Sequence, residues 1–201
     1  HDDDISRKVQ FTNPGGGFTV GQSQDESVDT VNLQLELSEN NPLSPVTVDY
    51  TILSSSTAEG DSIDYDLLPT GTITFPVNTT DTVLKLPLVD DNIDEPDETV
   101  IIQLSNPQNA NLGNNDIFND TIIDNDVGPE IFFVNDSLRG MESVTPVLIP
   151  VKINPVSGRE VEVSYQAYGG TASNSGIDYT LDDGTLTFPA GVDSLDISVD
   201  L

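Results

Sequence analysis

The sequence contains no cysteine and no tryptophan, one methionine, and a single histidine, His1. Without cysteine there is no disulfide framework, no thiolate zinc site and no thiol nucleophile. With its only imidazole at a chain terminus, where order is least expected, neither a histidine-based triad nor a histidine-ligated metal has residues to build on. No apolar run approaches the roughly 20 residues that a bilayer-crossing helix needs. Positive charge is equally scarce: 6 Lys and Arg face 35 Asp and Glu, for a formal net charge of -29. Such a surface repels phosphate backbones and anionic lipid headgroups and attracts cations. High charge with few aromatics also fits disorder, but the aliphatic residues here are too regularly spaced for that.

The spacing is two almost everywhere. Val31, Leu33, Leu35 and Leu37 alternate with polar neighbours, as do Val46, Val48, Tyr50 and Ile52, then Leu84, Leu86 and Leu88, then Val100, Ile102 and Leu104. Val161, Val163 and Tyr165 alternate in the second half, followed by Leu195, Ile197, Val199 and Leu201. Each run carries one apolar face, which predicts half-buried antiparallel strands. Asn-Pro, Gly-Gly, Pro-Thr-Gly and Asp-Asp-Gly punctuate them at short intervals, as in a sandwich or barrel. No stretch has the period of an amphipathic helix.

The chain also repeats itself. Val46-Thr-Val-Asp-Tyr50 recurs as Val161-Glu-Val-Ser-Tyr165, and Ile63-Asp-Tyr65 as Ile177-Asp-Tyr179. Gly71-Thr-Ile-Thr-Phe-Pro76 recurs as Gly184-Thr-Leu-Thr-Phe-Pro189, and Glu26-Ser-Val28 as Glu142-Ser-Val144. The order is kept and the offset drifts only from about 116 to 113, the mark of a duplicated domain. The expected organisation is a flexible acidic tail over 1–7, a first domain over 8–127, and a second over 128–201, joined at Val127-Gly128-Pro129. After Pro76 the first copy runs on through an acidic loop and strands near 99–105 and 117–123. After Pro189 the second copy has one strand, so it is expected to lack its last strands, and either a continuation of the chain or a donated strand is expected to complete it.

The densest acidic segment, Asp90 to Glu98, lies between two alternating runs and is expected to be a loop at one end of a sandwich. Ca²⁺ takes six to eight oxygen ligands in flexible geometry, and loops at one end of a sandwich converge. The spacing and turn glycine of an EF-hand are absent. A glycosidase carboxylate pair would need an aromatic-rich groove that the sequence does not supply, and no Ser or Thr has a base partner. Tyr50, Tyr65, Tyr165 and Tyr179 occupy matched positions and are expected in the cores. Asn78, Asn119 and Asn135 head Asn-x-Ser/Thr sequons, and Asp81-Thr-Val83 and Asp136-Ser-Leu138 resemble bacterial O-glycosylation triplets.

Both copies resemble Calx-β repeats, a family seen in the regulatory region of sodium–calcium exchangers and in many bacterial surface proteins. The matching residues are Ser56-Thr-Ala58, Asp64-Tyr65, Gly71-Thr-Ile-Thr-Phe75, Asp90-Asp91 with Glu95 and Glu98, and Ile122-Ile-Asp-Asn-Asp126. The second copy supplies Gly170-Thr-Ala172, Asp178-Tyr179 and Gly184-Thr-Leu-Thr-Phe188. The resemblance implies two tandem all-β, immunoglobulin-like antiparallel sandwiches of seven strands, the second incomplete, with Ca²⁺ at one end. It maps the metal ligands onto Glu26, Asp64, Asp90, Asp91, Glu95, Glu98, Asp124 and Asp126. Asn125 in the terminal triplet and Asn92 in the acidic run depart from the family pattern, each removing a charge.

The expected function is a non-enzymatic, Ca²⁺-binding interaction or spacer module of an extracellular or cell-surface protein. Its partners would be other surface proteins or further domains, and Ca²⁺ would rigidify the loops and the junction. The start at His1-Asp-Asp-Asp4, rather than at Met, reads as a processed end. It resembles the stretch after the lipidated cysteine of surface lipoproteins, so a lipid anchor just upstream and an outer-membrane location are expected. Two alternatives stand beside this reading: a metal-free structural repeat, and a carbohydrate-binding module.

Overall fold

In a computed structural model of the chain, the structure describes residues 6–12, 21–41 and 43–201. Most of the expected acidic tail, residues 1–5, lies outside the described residues. The chain divides into two compact units, residues 1–91 with 97–125, and residues 92–96 with 126–201. Every regular element among the described residues is a strand.

The first unit contains β1 (Lys8–Phe11), β2 (Gly21–Asp25), β3 (Thr30–Leu37), β4 (Val46–Ile52), β5 (Thr70–Phe75), β6 (Asp81–Pro87), β7 (Glu98–Gln108), β8 (Asn111–Leu112) and β9 (Ile117–Ile123). They form a four-stranded sheet in the order β6-β3-β1-β8 and a five-stranded sheet in the order β2-β9-β7-β4-β5. The period-two pattern sets the register. Val31, Leu33 and Leu35 of β3 stand opposite Leu86, Leu84 and Thr82 of β6, and Val46, Val48 and Tyr50 of β4 opposite Phe75, Ile73 and Gly71 of β5. These apolar side chains point inward together with Val100, Ile102 and Leu104 of β7, making one buried core. Phe11 of one sheet meets Phe118 of the other with ring centroids 5.3 Å apart, a separation at which tilted aromatic pairs attract.

Most pairings are antiparallel, but β1 runs parallel to β8 and β2 parallel to β9. Alternation of side chains does not distinguish the two directions, so this was not readable from the apolar pattern. The β2–β9 pairing matters because it brings the chain after Asp25 beside the chain after Ile123.

The second unit contains β10 (Glu130–Phe133), β11 (Val147–Asn154), β12 (Val161–Tyr165), β13 (Gly184–Phe188) and β14 (Ser194–Val199). They form a three-stranded sheet, β10-β11-β14, and a two-stranded sheet, β12-β13, around a small core of Val151, Ile153, Phe188, Ile197 and Val199. Residues 92–96 are held in this unit by Ser157 to Arg159. Arg159 Nη2 pairs with Asp94 Oδ1 at 2.8 Å and also donates to the Glu95 carbonyl, while Gly158 N donates to the Asp94 carbonyl at 2.9 Å.

The repeated Gly-Thr-x-Thr-Phe-Pro motif has a packing cause. Gly71 lies opposite Tyr50, and a Cβ there would stand 2.6 Å from the ring; Gly184 lies opposite Tyr165, and a Cβ would stand 2.5 Å from its hydroxyl. The Tyr lies across the facing strand, so only glycine fits. The tyrosines are core residues as expected: Tyr50 and Tyr65 are buried in the first unit, and Tyr165 and Tyr179 pack on the core of the second. Gly71→Ala should therefore lower the melting temperature by about 5–10 °C, the cost of overpacking a well-filled site. A thermal scan checks this, and an unchanged melting point would mean the ring moves aside freely.

One inward position is not apolar. Asp120, between Phe118 and Ile122 on β9, is 0% exposed, and its carboxylate accepts hydrogen bonds from Gln24 and Gln22 of β2. Burial disfavours its charge more strongly than these bonds favour it, and its pKa is pushed up to about 6. A raised folded-state pKa means the group costs nothing below its unfolded value, near 3.8. The cost grows as pH rises through 6 and is complete above it. Asp120→Asn should consequently stabilise the chain by about 2 kcal/mol at pH 7.5 and leave it nearly unchanged at pH 4. Denaturant melts of both proteins at the two pH values test this; an equal difference at both would contradict it.

Candidate metal centre

The parallel register Asp25↔Ile123 carries on for one more step, with Glu26 N donating to the Ile123 carbonyl at 3.1 Å. That step places Glu26 beside Asp124, although 98 residues separate them in sequence. Asp126 follows Asp124 by two residues, just beyond the end of β9. Carboxylate oxygens of Glu26, Asp124 and Asp126 lie within 4.8 Å of one another, and all three residues are half-buried. Two oxygens on one Ca²⁺ at about 2.3–2.6 Å can be at most about 5 Å apart. The spacing and the all-oxygen donor set therefore fit a hard cation.

A second layer surrounds this group. The antiparallel pairing of Glu98 with Ile122 brings the start of β7 to the same strand end, where Asp97 Oδ1 accepts from Asp124 N at 3.3 Å. Asn125 Nδ2 donates to Asp90 Oδ1 at 2.9 Å and to Asp25 Oδ1 at 3.1 Å. Asp25 also accepts from the hydroxyl and the backbone N–H of Ser27; these bonds, with Asn125, hold its carboxyl below the usual carboxylate range. The amide of Asn125 thus sits between two carboxylates as a neutral donor where the family pattern has a third acid.

The eight expected ligands are placed as follows. Glu26, Asp124 and Asp126 form the convergent group. Asp90 joins their surroundings through Asn125. Asp91 is half-buried in the loop after β6, and Glu98 opens β7. Asp64 uses its carboxylate locally, accepting from Glu59 N and closing the loop between these two residues. Asp178 accepts from Ser173 N at 2.7 Å in the same way, so this role is common to both copies. The backbone carbonyl of Asp64 nevertheless accepts from Val89 N, beside Asp90. Glu95 lies against Gly158, where a Cβ would collide with its carboxylate. Among the described residues the only convergent acidic group of three or more is Glu26, Asp124 and Asp126. Asp25 and Asp97 were not among the expected residues. Each directly adjoins one that was, or lies within the same acidic run, but only the strand registers show that they face Asn125 and Asp124.

The Calx-beta domain model matches residues 2–126 and again 124–201, so the chain belongs to the Calx-beta domain family, as two tandem copies. Among solved structures, it is similar to CBD12 from CALX1.2, with 20% identity, 96% of this chain and 74% of that chain covered, and a TM-score of 0.50. It is likewise similar to the calcium binding domain CBD12 of CALX1.1, with 19% identity, 95% and 74% coverage, and a TM-score of 0.50. At this identity the likeness concerns the fold, two β-sandwich domains in tandem. No curated protein sequence matches the chain.

Asn125→Asp would exchange two donated hydrogen bonds for a third charge facing Asp25 and Asp90. Like charges at such distances repel by a few kcal/mol at an effective dielectric near 20. The variant is expected to melt several degrees below the parent in EDTA, with the gap narrowing when Ca²⁺ is added. Paired thermal scans check this, and an equal melting point in EDTA would show that the Asn125 amide does not quiet the cluster.

Proposed function

We propose that this chain is a non-enzymatic Ca²⁺-binding module of an extracellular or cell-surface protein, with the ion held at the β2–β9 strand end of the first copy. The single observation that carries the reading is the convergence of Glu26, Asp124 and Asp126 within 4.8 Å. The second layer of Asp25, Asp90 and Asp97 supports it, since it makes the strand end more acidic. Membership of the Calx-beta family, and the likeness to a protein whose structure is titled a calcium binding domain, point the same way.

In this reading the residues share the work. Glu26, Asp124 and Asp126 contact the ion, Asp90 and Asp91 complete its oxygen shell, and Asn125 and Asp97 hold the segment in place. A bound divalent cation neutralises carboxylates that otherwise repel, so the loops tighten, and the strand end from which Val127-Gly128-Pro129 departs becomes more ordered. A shell interrupted by Asn125 suits the weaker class of sites, with dissociation constants of about 10⁻⁴–10⁻³ M, which fill only where Ca²⁺ is abundant, as outside cells. The net charge of -29 and the absence of any thiol suit the same surroundings. A surface anchor upstream and other surface proteins as partners belong to this proposal.

Thermal scans of the whole chain in EDTA, Mg²⁺ and Ca²⁺ test it. Ca²⁺ should raise the melting temperature, by about 2.7 kcal/mol of stabilisation at 100-fold saturation. Mg²⁺ should do little, because it demands a small octahedral shell and keeps its waters. Asp124→Asn combined with Glu26→Gln should abolish the response while the strands remain folded. Equal melting in all three conditions would leave a metal-free structural repeat.

A further inference from the structure

Among the described strands of the first unit, β2 is the one that the apolar pattern does not align. Its residues, Gly21-Gln-Ser-Gln-Asp25, include no apolar side chain, and at the end of the five-stranded sheet it pairs with β9 alone. A strand that is polar on both faces has a weakly specified register and is prone to slip. Yet this register decides the acidic group. The ladder from Gly21↔Asn119 to Asp25↔Ile123 is what brings Glu26 to Asp124. A slip of two residues keeps the same side chains inward but carries Glu26 about 6.6 Å along the ladder. Two oxygens on one Ca²⁺ span at most about 5 Å, so a slip of that length parts the pair.

Asp120 supplies what β2 lacks. It stands opposite Gln22, and Ile122 stands opposite Gln24, so both glutamines lie on the inward face with Asp120. Gln24 Nε2 donates to Asp120 Oδ2 at 2.5 Å, and Gln22 donates to the same carboxylate. Phe118 and Ile122, its neighbours on that face of β9, are buried and apolar and offer no side-chain acceptor. A slip of two in one direction carries Gln24 to Asp124 and away from Asp120. In the other direction it carries Gln22 back to Phe118. Either way an amide leaves its acceptor, which is costly inside a sandwich.

We propose that Gln22, Gln24 and Asp120 are positioning residues for the cation, a buried polar fork that fixes β2 on β9 and thereby holds Glu26 against Asp124. This role rests on the Ca²⁺ reading above, which supplies the ion that the register serves. A buried carboxylate lowers stability, as the raised pKa of Asp120 shows, and the best-attested use of such a group is to fix a register. Alignment of the core thus reaches β2 through a polar contact, where β3, β4 and β6 use apolar ones.

The test titrates Ca²⁺ by calorimetry into the full 201-residue chain at pH 7.5, parent and three variants. Exchanging the fork for an apolar pair, Gln24→Leu with Asp120→Leu, should weaken binding about ten-fold while the melting temperature in EDTA is at least as high. Asp120→Asn keeps an oxygen that accepts from Gln24 and should stay within about three-fold of the parent. Gln24→Glu with Asp120→Asn reverses donor and acceptor and should restore parental affinity. In EDTA, nuclear Overhauser contacts of Ser23 with Thr121 and of Asp25 with Ile123 should be single and native in the parent and both asparagine variants. They should be lost or doubled in the leucine pair. A leucine pair with native contacts would overturn the proposal, as would one that loses them yet binds with parental affinity. So would Asp120→Asn binding as weakly as the leucine pair, since Asp120 would then act through its charge and not through register. A parent that takes up no Ca²⁺ would overturn the Ca²⁺ reading instead, and the contacts in EDTA would still decide whether the fork sets the register.

Discussion

The register of the strand pairs is the constraint on which everything else in this protein rests. Successive side chains of a strand point to opposite faces, so a slip of one residue between β3 and β6 would turn Val31, Leu33 and Leu35 out to water and bring Asn32, Gln34 and Glu36 inward. Burying the apolar set in place of the polar one is worth many kcal/mol at about 25 cal/mol per Å², which leaves one register acceptable. The same register sends the ends of β2, β7 and β9 to one place. The acidic group is therefore a by-product of how the core is aligned, and it needs no interaction of its own to be assembled.

Electrostatics acts on that framework rather than building it. With 35 acidic residues and 6 basic ones, most carboxylates have only water, backbone N–H groups or neutral amides to meet. The protein uses the last two: Asp64 and Asp178 close loops by accepting from backbone nitrogen, Asp90 and Asp25 share the amide of Asn125, and Asp120 sits inside the sandwich against two glutamines. Among the described residues the few cations are placed sparingly; Arg159 fastens Asp94 and the Glu95 carbonyl. The carboxylates of Glu26, Asp124 and Asp126 also face one another, which is the arrangement a divalent cation relieves.

The two copies show how far a shared sequence pattern carries a shared structure. Tyr50 with Gly71 and Tyr165 with Gly184 make the same contact, and Asp64 and Asp178 make the same turn. Those features depend on residues within one hairpin or one loop, so each copy contains all the parts. Phe11 and Phe133 occupy the same register and differ completely in exposure. Their burial depends on the opposite sheet, which the first unit builds from five strands and the second from two.

Alternation of apolar and polar residues was enough to read all-β architecture, most strand positions, the duplication and the inward tyrosines, because side-chain period and core burial are local consequences of the chain. The two copies of the Gly-Thr-x-Thr-Phe-Pro motif were visible too, though not the ring that excludes a Cβ. What the residues alone could not supply was direction and neighbourhood. Whether β2 runs parallel or antiparallel to β9 leaves the apolar pattern unchanged, yet it is the parallel ladder that sets Glu26 beside Asp124. The same holds for Asp25 and Asp97, ordinary acids in an acidic chain until strand pairing turns them toward Asn125 and the Asp124 backbone. Glu95 and Asp94 belong to the densest acidic run, but hydrogen bonds from Ser157, Gly158 and Arg159 hold them to a different part of the chain. Composition determined that this protein presents carboxylates in abundance; tertiary structure decided which of them meet, because only the long-range ladder brings residues about a hundred positions apart within reach of one ion.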